Sequence, residues 1–143
     1  HHILPNILEF GELKVHDVKK PIERVIGVDV RKSPKEVIDV VTHSGYSRVL
    51  AYHDTMDKVV GVIYAKDLLT AWRTAGLVLI PDLIRPAYFV TDDTPISQLL
   101  REFRKGRQHL AVVRDADKKI TGIVTLENVL EELVGDVYDE SQI

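Results

Sequence analysis

The chain has 143 residues, 45% hydrophobic and 29% charged, with a net charge of −3 and no cysteine. This describes a globular protein with one core or two small ones, and it excludes a disulfide framework, a thiolate nucleophile and a Cys-based zinc site. A pI near 6.1 gives no basic face for nucleic acid, and no apolar run approaches the ~18 residues of a membrane-crossing helix.

In chain order, Ile3, Leu4, Ile7 and Leu8 are spaced for a short amphipathic helix inside a lead-in covering 1–14. Val15 to Pro21 reads as a connector with Val15 and Val18 inward, and Arg24 to Val30 as a strand rich in Val and Ile. Ser33-Pro34-Lys35-Glu36 is a helix start, with serine at the N-cap, proline at the first position and glutamate at the third. That helix is expected to bury Val37, Ile38, Val40 and Val41 and to stop at Gly45. Strands follow at Arg48 to Tyr52 and Val59 to Tyr64, with a turn over Asp54 to Lys58. A helix from Ala65 to about Arg73 carries the stripe Ala65, Leu68, Leu69 and Trp72, with Trp72 expected as core between two copies.

After Gly76 the pattern restarts. Ile80 to Pro86 echoes Val15 to Pro21 at an offset of 65. A short strand at Ala87 to Val90 leads to a helix opened by Thr94-Pro95, with Ile96, Leu99, Leu100 and Phe103 on one face. From there the offset is 61 without a gap: Gly45 pairs with Gly106, Asp54 with Asp115, Gly61 with Gly122 and Leu69 with Leu130. Asp115-Ala-Asp117 reads as a turn rather than a calcium loop, because no glycine and distal glutamate complete it. Ile120 to Val124 is a buried strand that breaks at Thr125 into a helix striped by Leu126, Val129, Leu130 and Leu133. Tyr138 to Ile143 is polar and stops without a closing element, as expected of a piece of a longer protein.

The expected fold is therefore α+β, two tandem β-α-β-β-α repeats (15–78 and 79–136) packed with pseudo-two-fold symmetry around two equivalent crevices, and a tail at 137–143. Thr125 stands where an N-cap belongs, so its hydroxyl serves the first-turn amides or a ligand placed over them. Asn128 comes back beside it, and a hydroxyl and an amide at a strand-helix turn suit a ribose phosphate.

The turn Gly122-Ile123-Val124-Thr125-Leu126-Glu127-Asn128, made twice, resembles that of a tandem CBS domain pair, or Bateman module. Gly45 to Tyr52, Val60 to Leu69 and Leu126 to Glu140 are similar to the pair found in CorC/HlyC-type hemolysin-like, magnesium and cobalt efflux-associated proteins, relatives of the CNNM transporters. The resemblance implies a cytosolic regulatory module attached to a membrane domain, on the cytoplasmic side of what would be an inner-membrane protein. It further implies binding of AMP, ADP or ATP, with or without Mg2+, and a homodimer.

Carried over by position, the second copy would use Thr125 for phosphate and Asn128, where the family has aspartate, for the ribose hydroxyls. The first copy keeps Asp67 for the ribose but has Tyr64 in place of the cap hydroxyl. Adenine would lie against Tyr88, Phe89 and Val90 in the second copy and around Ile26 in the first. Phosphates could also draw on Arg104, Lys105, Arg107 and His109, or on Arg48; the 104–107 cations equally suit a helix C-terminus. No catalytic base, nucleophile or metal set stands out, so the expectation is a non-catalytic nucleotide sensor controlling an ion transport or efflux protein. The alternatives are a ligand-free dimerisation module, favoured by Tyr64 and Asn128, and a site for another adenosyl ligand such as S-adenosylmethionine.

Overall fold

A computed structural model describes residues 13–106 and 108–141, apart from the side chains at 75 and 135–141. The helix expected over 3–10 lies outside the described residues. The described residues form two compact units: 13–24 join those from Tyr88 onward, and Val25–Ala87 form the other.

The larger unit, unit 1, starts with a helical turn, α1 (Val15–Val18), and a two-residue strand, β1 (Lys20–Pro21). Unit 2 contains β2 (Gly27–Asp29), α2 (Pro34–Ser44), β3 (Arg48–His53), β4 (Thr55–Tyr64), α3 (Ala65–Ala75), the turn α4 (Ile80–Leu83) and β5 (Ile84–Arg85). Unit 1 resumes with β6 (Tyr88–Val90), α5 (Ile96–Gly106), β7 (Leu110–Arg114), β8 (Ile120–Thr125) and α6 (Leu126–Ser141).

Each unit has one four-stranded sheet, in the orders β1-β8-β7-β6 and β5-β4-β3-β2. In both, a parallel pair (β6 with β7, β2 with β3) is followed by an antiparallel one. The short lead-in strand closes the row: Lys20 faces Ile123, and Arg85 faces Val62. The lead-in of each sequence repeat thus lies on the sheet of the other, so the compact units divide at 24/25 and 87/88 rather than at 78/79. Local spacing could not reveal that exchange, because it is made by pairing across about a hundred residues in one case.

Cores form under the expected stripes. Val15, Val90, Ile96, Leu99, Phe103, Val124 and Val129 pack in unit 1; Val28, Val37, Val41, Ile63 and Leu68 pack in unit 2. Ser33 caps α2 by accepting from the Glu36 N–H at 3.3 Å, and Gly45 ends it in the left-handed region at φ 74°. Asp115 Oδ1 accepts from the amides of Asp117 and Lys119, which makes that segment a turn.

Several elements differ from the sequence expectation. Val40 faces outward at 39% exposure, as do Leu69, Trp72 and Leu130 at 52%, 59% and 47%. Within each stripe only the positions that reach the core are buried, as Leu68 and Val129 are. The strand expected from Arg24 is shortened to Gly27–Asp29 by a 3-10 turn at Ile22–Arg24. Strand β4 begins at Thr55, since Asp54 alone turns the chain with φ 78°. The last residues are helical to Ser141.

Asp29 is buried in unit 2. Its carboxylate accepts from the Arg31 amide (2.9 Å), Nε (3.2 Å) and a terminal guanidinium nitrogen (3.0 Å), and Arg31 reaches on to Asp54 at 2.9 Å. The Arg31 hydrogen bonds hold the Asp29 carboxyl well below the ordinary carboxylate range. A depressed native value means that the stabilisation is complete above the unfolded pKa of about 3.9 and is lost as pH falls below it. Asp29→Asn is therefore expected to be less stable at neutral pH and to lose less between about pH 4 and 2 than the parent. Thermal melts across that range check this; parallel curves would contradict it.

Candidate functional site

In unit 1, β8 ends where Thr125 pairs with Leu110, and the chain turns directly into α6. The turn is held by a reciprocal cap. Thr125 Oγ1 accepts from the Asn128 N–H at 3.1 Å, and Asn128 Oδ1 accepts from the Thr125 N–H at 3.2 Å. The Leu126 N–H donates to the His109 carbonyl at 2.9 Å, so His109 anchors the helix start through its backbone. Its ring lies tilted 6.4 Å from that of Phe103.

The cap uses the acceptor atoms of both side chains, which leaves the Thr125 O–H and the Asn128 NH2 as the groups to present to a ligand. Two donors at a helix N-terminus suit phosphate oxygens, which can only accept. Beside Asn128 is a cavity of about 380 Å³, lined by Val18, Lys19, Lys20, Pro21, Arg24, Glu131 and Glu132. The Lys19 ammonium donates to Asp92 at 2.8 Å and to Thr121 at 3.2 Å, which ties the lead-in to β8.

Tyr88, Phe89 and Val90 form the edge strand of this sheet. Tyr88 faces Ala111, next to the Leu110–Thr125 pair, so it stands at the same end of the sheet as the cap. Burial, then the Glu102 carboxylate, push its phenol above the ordinary value, so it stays an O–H donor at neutral pH. The Phe89 ring carries the Arg114 guanidinium at 4.1 Å from its centroid. The Val90 side chain is core, 6% exposed, so that residue can offer a ligand only backbone. Arg104 and Lys105 are exposed in the last turn of α5, and Arg107 lies outside the described residues.

In unit 2 the matching positions are arranged differently. Tyr64 precedes α3 with no side-chain cap bond. Asp67 receives Arg85 in a bidentate pair, Nε to Oδ2 at 2.8 Å and a terminal nitrogen to Oδ1 at 3.0 Å. The Arg85 guanidinium lies 4.0 Å from the Tyr64 ring centroid and that of Arg48 5.7 Å. Ile26 is 38% exposed, its carbonyl accepting from the Leu50 N–H. Tyr64, Asp67 and Arg48 therefore gather, while Ile26 is placed on the edge side of the sheet. Arg85 is the member that sequence reading missed. Its signal was the offset of 65, which sets Arg85 near Lys20, but nothing local ties position 85 to position 67.

Two sheets of one order, each with a strand-helix turn and an exchanged lead-in, define a tandem CBS pair. Among the described residues no three His, Cys, Asp or Glu side chains gather as for a metal, and no helix is long and apolar enough to cross a membrane. The family model described as the CBS domain matches residues 80–135. The CBS domain of the bacterial CNNM/CorC family Mg2+ transporter, solved in complex with ATP, is 33% identical; it superposes with a TM-score of 0.84, covering 92% of this chain and 94% of that one. A CBS-domain pair from Klebsiella pneumoniae with bound AMP is 26% identical, with a TM-score of 0.77 and coverage of 85% and 98%. The magnesium and cobalt efflux protein CorC of Vibrio cholerae is 33% identical over 139 residues, 96% of this chain and 48% of that protein. The chain belongs to the CBS domain family, in the branch of the CNNM/CorC Mg2+ transporter CBS domains. It spans less than half the length of the curated relatives it matches.

Proposed function

We propose that this chain is a non-catalytic regulatory module that binds an adenine nucleotide at the Thr125–Asn128 cap and thereby controls an attached ion transport or efflux protein. The observation that carries the reading is the reciprocal cap, which leaves the Thr125 O–H and the Asn128 NH2 as donors at the start of α6. Lys20 and Arg24 line the neighbouring cavity alongside Glu131 and Glu132, so the donors of the cap rather than the charge of the cavity draw the anion. The edge strand of Tyr88 and Phe89 has one row of backbone groups unused by the sheet, suited to the edge of a base. ATP and AMP in the similar structures support the ligand class. Control then requires only that the nucleotide bind the two states of the parent protein with different affinities.

Calorimetric titration with AMP, ADP, ATP with and without Mg2+, and S-adenosylmethionine tests the reading. Saturable heat with an adenine nucleotide is expected, and no heat with any of them would overturn it. The exposed apolar side chains Leu69, Trp72 and Leu77 line a groove of about 560 Å³ on unit 2 and support self-association. Light scattering on the same sample is expected to give twice the chain mass.

A further inference from the structure

The two sheets allow a position-by-position comparison of the cap turns. Thr125 and Asn128 correspond to Tyr64 and Asp67 at the offset of 61. Lys20, opposite Ile123, corresponds to Arg85, opposite Val62. The same three places thus hold threonine, asparagine and lysine in unit 1, and tyrosine, aspartate and arginine in unit 2. An amide carries no charge, so Lys20 and Asn128 cannot close on each other as an ion pair, and a cavity lined by both remains. Arginine and aspartate can close, and do, with two parallel N–H···O bonds.

Resting on the nucleotide reading of unit 1, we infer that Arg85 is a built-in occupant of the corresponding site in unit 2, and that the chain takes nucleotide at unit 1 alone. Both Asp67 oxygens, the acceptors a ribose diol would need, are engaged by the guanidinium. The Tyr64 face, the surface on which a base could stack, carries the same planar group at 4.0 Å. Arg85 thereby occupies at once the two features that would recognise a nucleoside, and a ligand must displace it to enter. Tyr64 supplies no cap hydroxyl to draw phosphate in and offset that cost. The Arg85 side chain is 46% exposed and that of Asp67 25%, so the pair adds little to stability and its removal should leave the fold intact.

The test is calorimetric stoichiometry with AMP on the parent chain, Arg85→Gln and Arg85→Gln/Asp67→Asn, with circular dichroism and melting curves to verify folding. One AMP per parent chain, two per Arg85→Gln chain and one again in the double variant are expected. Two per parent chain, or one per folded Arg85→Gln chain where the parent also binds one, would overturn the inference. If Arg85→Gln melts early, Arg85→Lys keeps the charge and loses the bidentate fork, and the same gain is expected. A parent that binds none, with an Arg85→Gln chain that binds one through Asp67, would sink the unit 1 reading and leave Arg85 standing as the occupant of the unit 2 site. No binding in any variant would sink both.

Discussion

Thr125→Ala is expected to weaken AMP or ATP binding by about ten- to a hundredfold, the worth of a charge-assisted hydrogen bond of roughly 1.5–3 kcal/mol. The same change removes the cap on the Asn128 N–H, which costs about 1 kcal/mol of stability. The two effects separate experimentally. A melting curve reads the lost cap with no nucleotide present, and calorimetry below the melt reads the lost donor. Thr125→Ser keeps a hydroxyl at the same atom and should restore most of the affinity. If Thr125→Ala stays folded and binds AMP as tightly as the parent, Thr125 is only a helix cap and the site lies elsewhere.

Gly122→Ala is the second large effect. A methyl at Gly122 would collide with the backbone carbonyl of Lys20, which is held in the β1–β8 ladder. Backbone cannot rotate aside as a side chain can, so relief requires β1 to lift from the sheet. The expected cost is about 1–3 kcal/mol, or more if the lead-in undocks. Undocking would also carry Lys19, Lys20 and Arg24 away from Asn128 and weaken nucleotide binding. Gly61→Ala should behave alike, since its methyl would meet the Arg85 carbonyl. Gly27→Ala supplies the contrast: the obstruction there is chiefly the end of the flexible Met56 side chain, and the cost should be small. Melting temperatures of the three variants check the order, and equal losses would contradict it.

The comparison of sequence with structure turns on range. Ser33-Pro34-Lys35-Glu36 specified a helix start because all its partners lie within one turn, and the cap is there. The ungapped repeat predicted two units of one design, and the two sheets share one strand order. Ile96, Leu99 and Phe103 were legible as core because a helical face repeats locally. Leu69 and Trp72 satisfied the same periodicity and are exposed, because which apolar residues find a partner depends on what packs above them.

At the candidate site the division is the same. Sequence alone set Thr125 at a cap and marked Asn128 and Tyr64 as departures from the family pattern, since those are identities at known spacings. Only tertiary structure turned the Asn128 carbonyl into the cap, gave each lead-in to the other repeat's sheet, and brought Arg85 onto Asp67 and Tyr64. Those contacts follow from strand pairing between distant segments, where register decides which side chains meet and no local spacing records it.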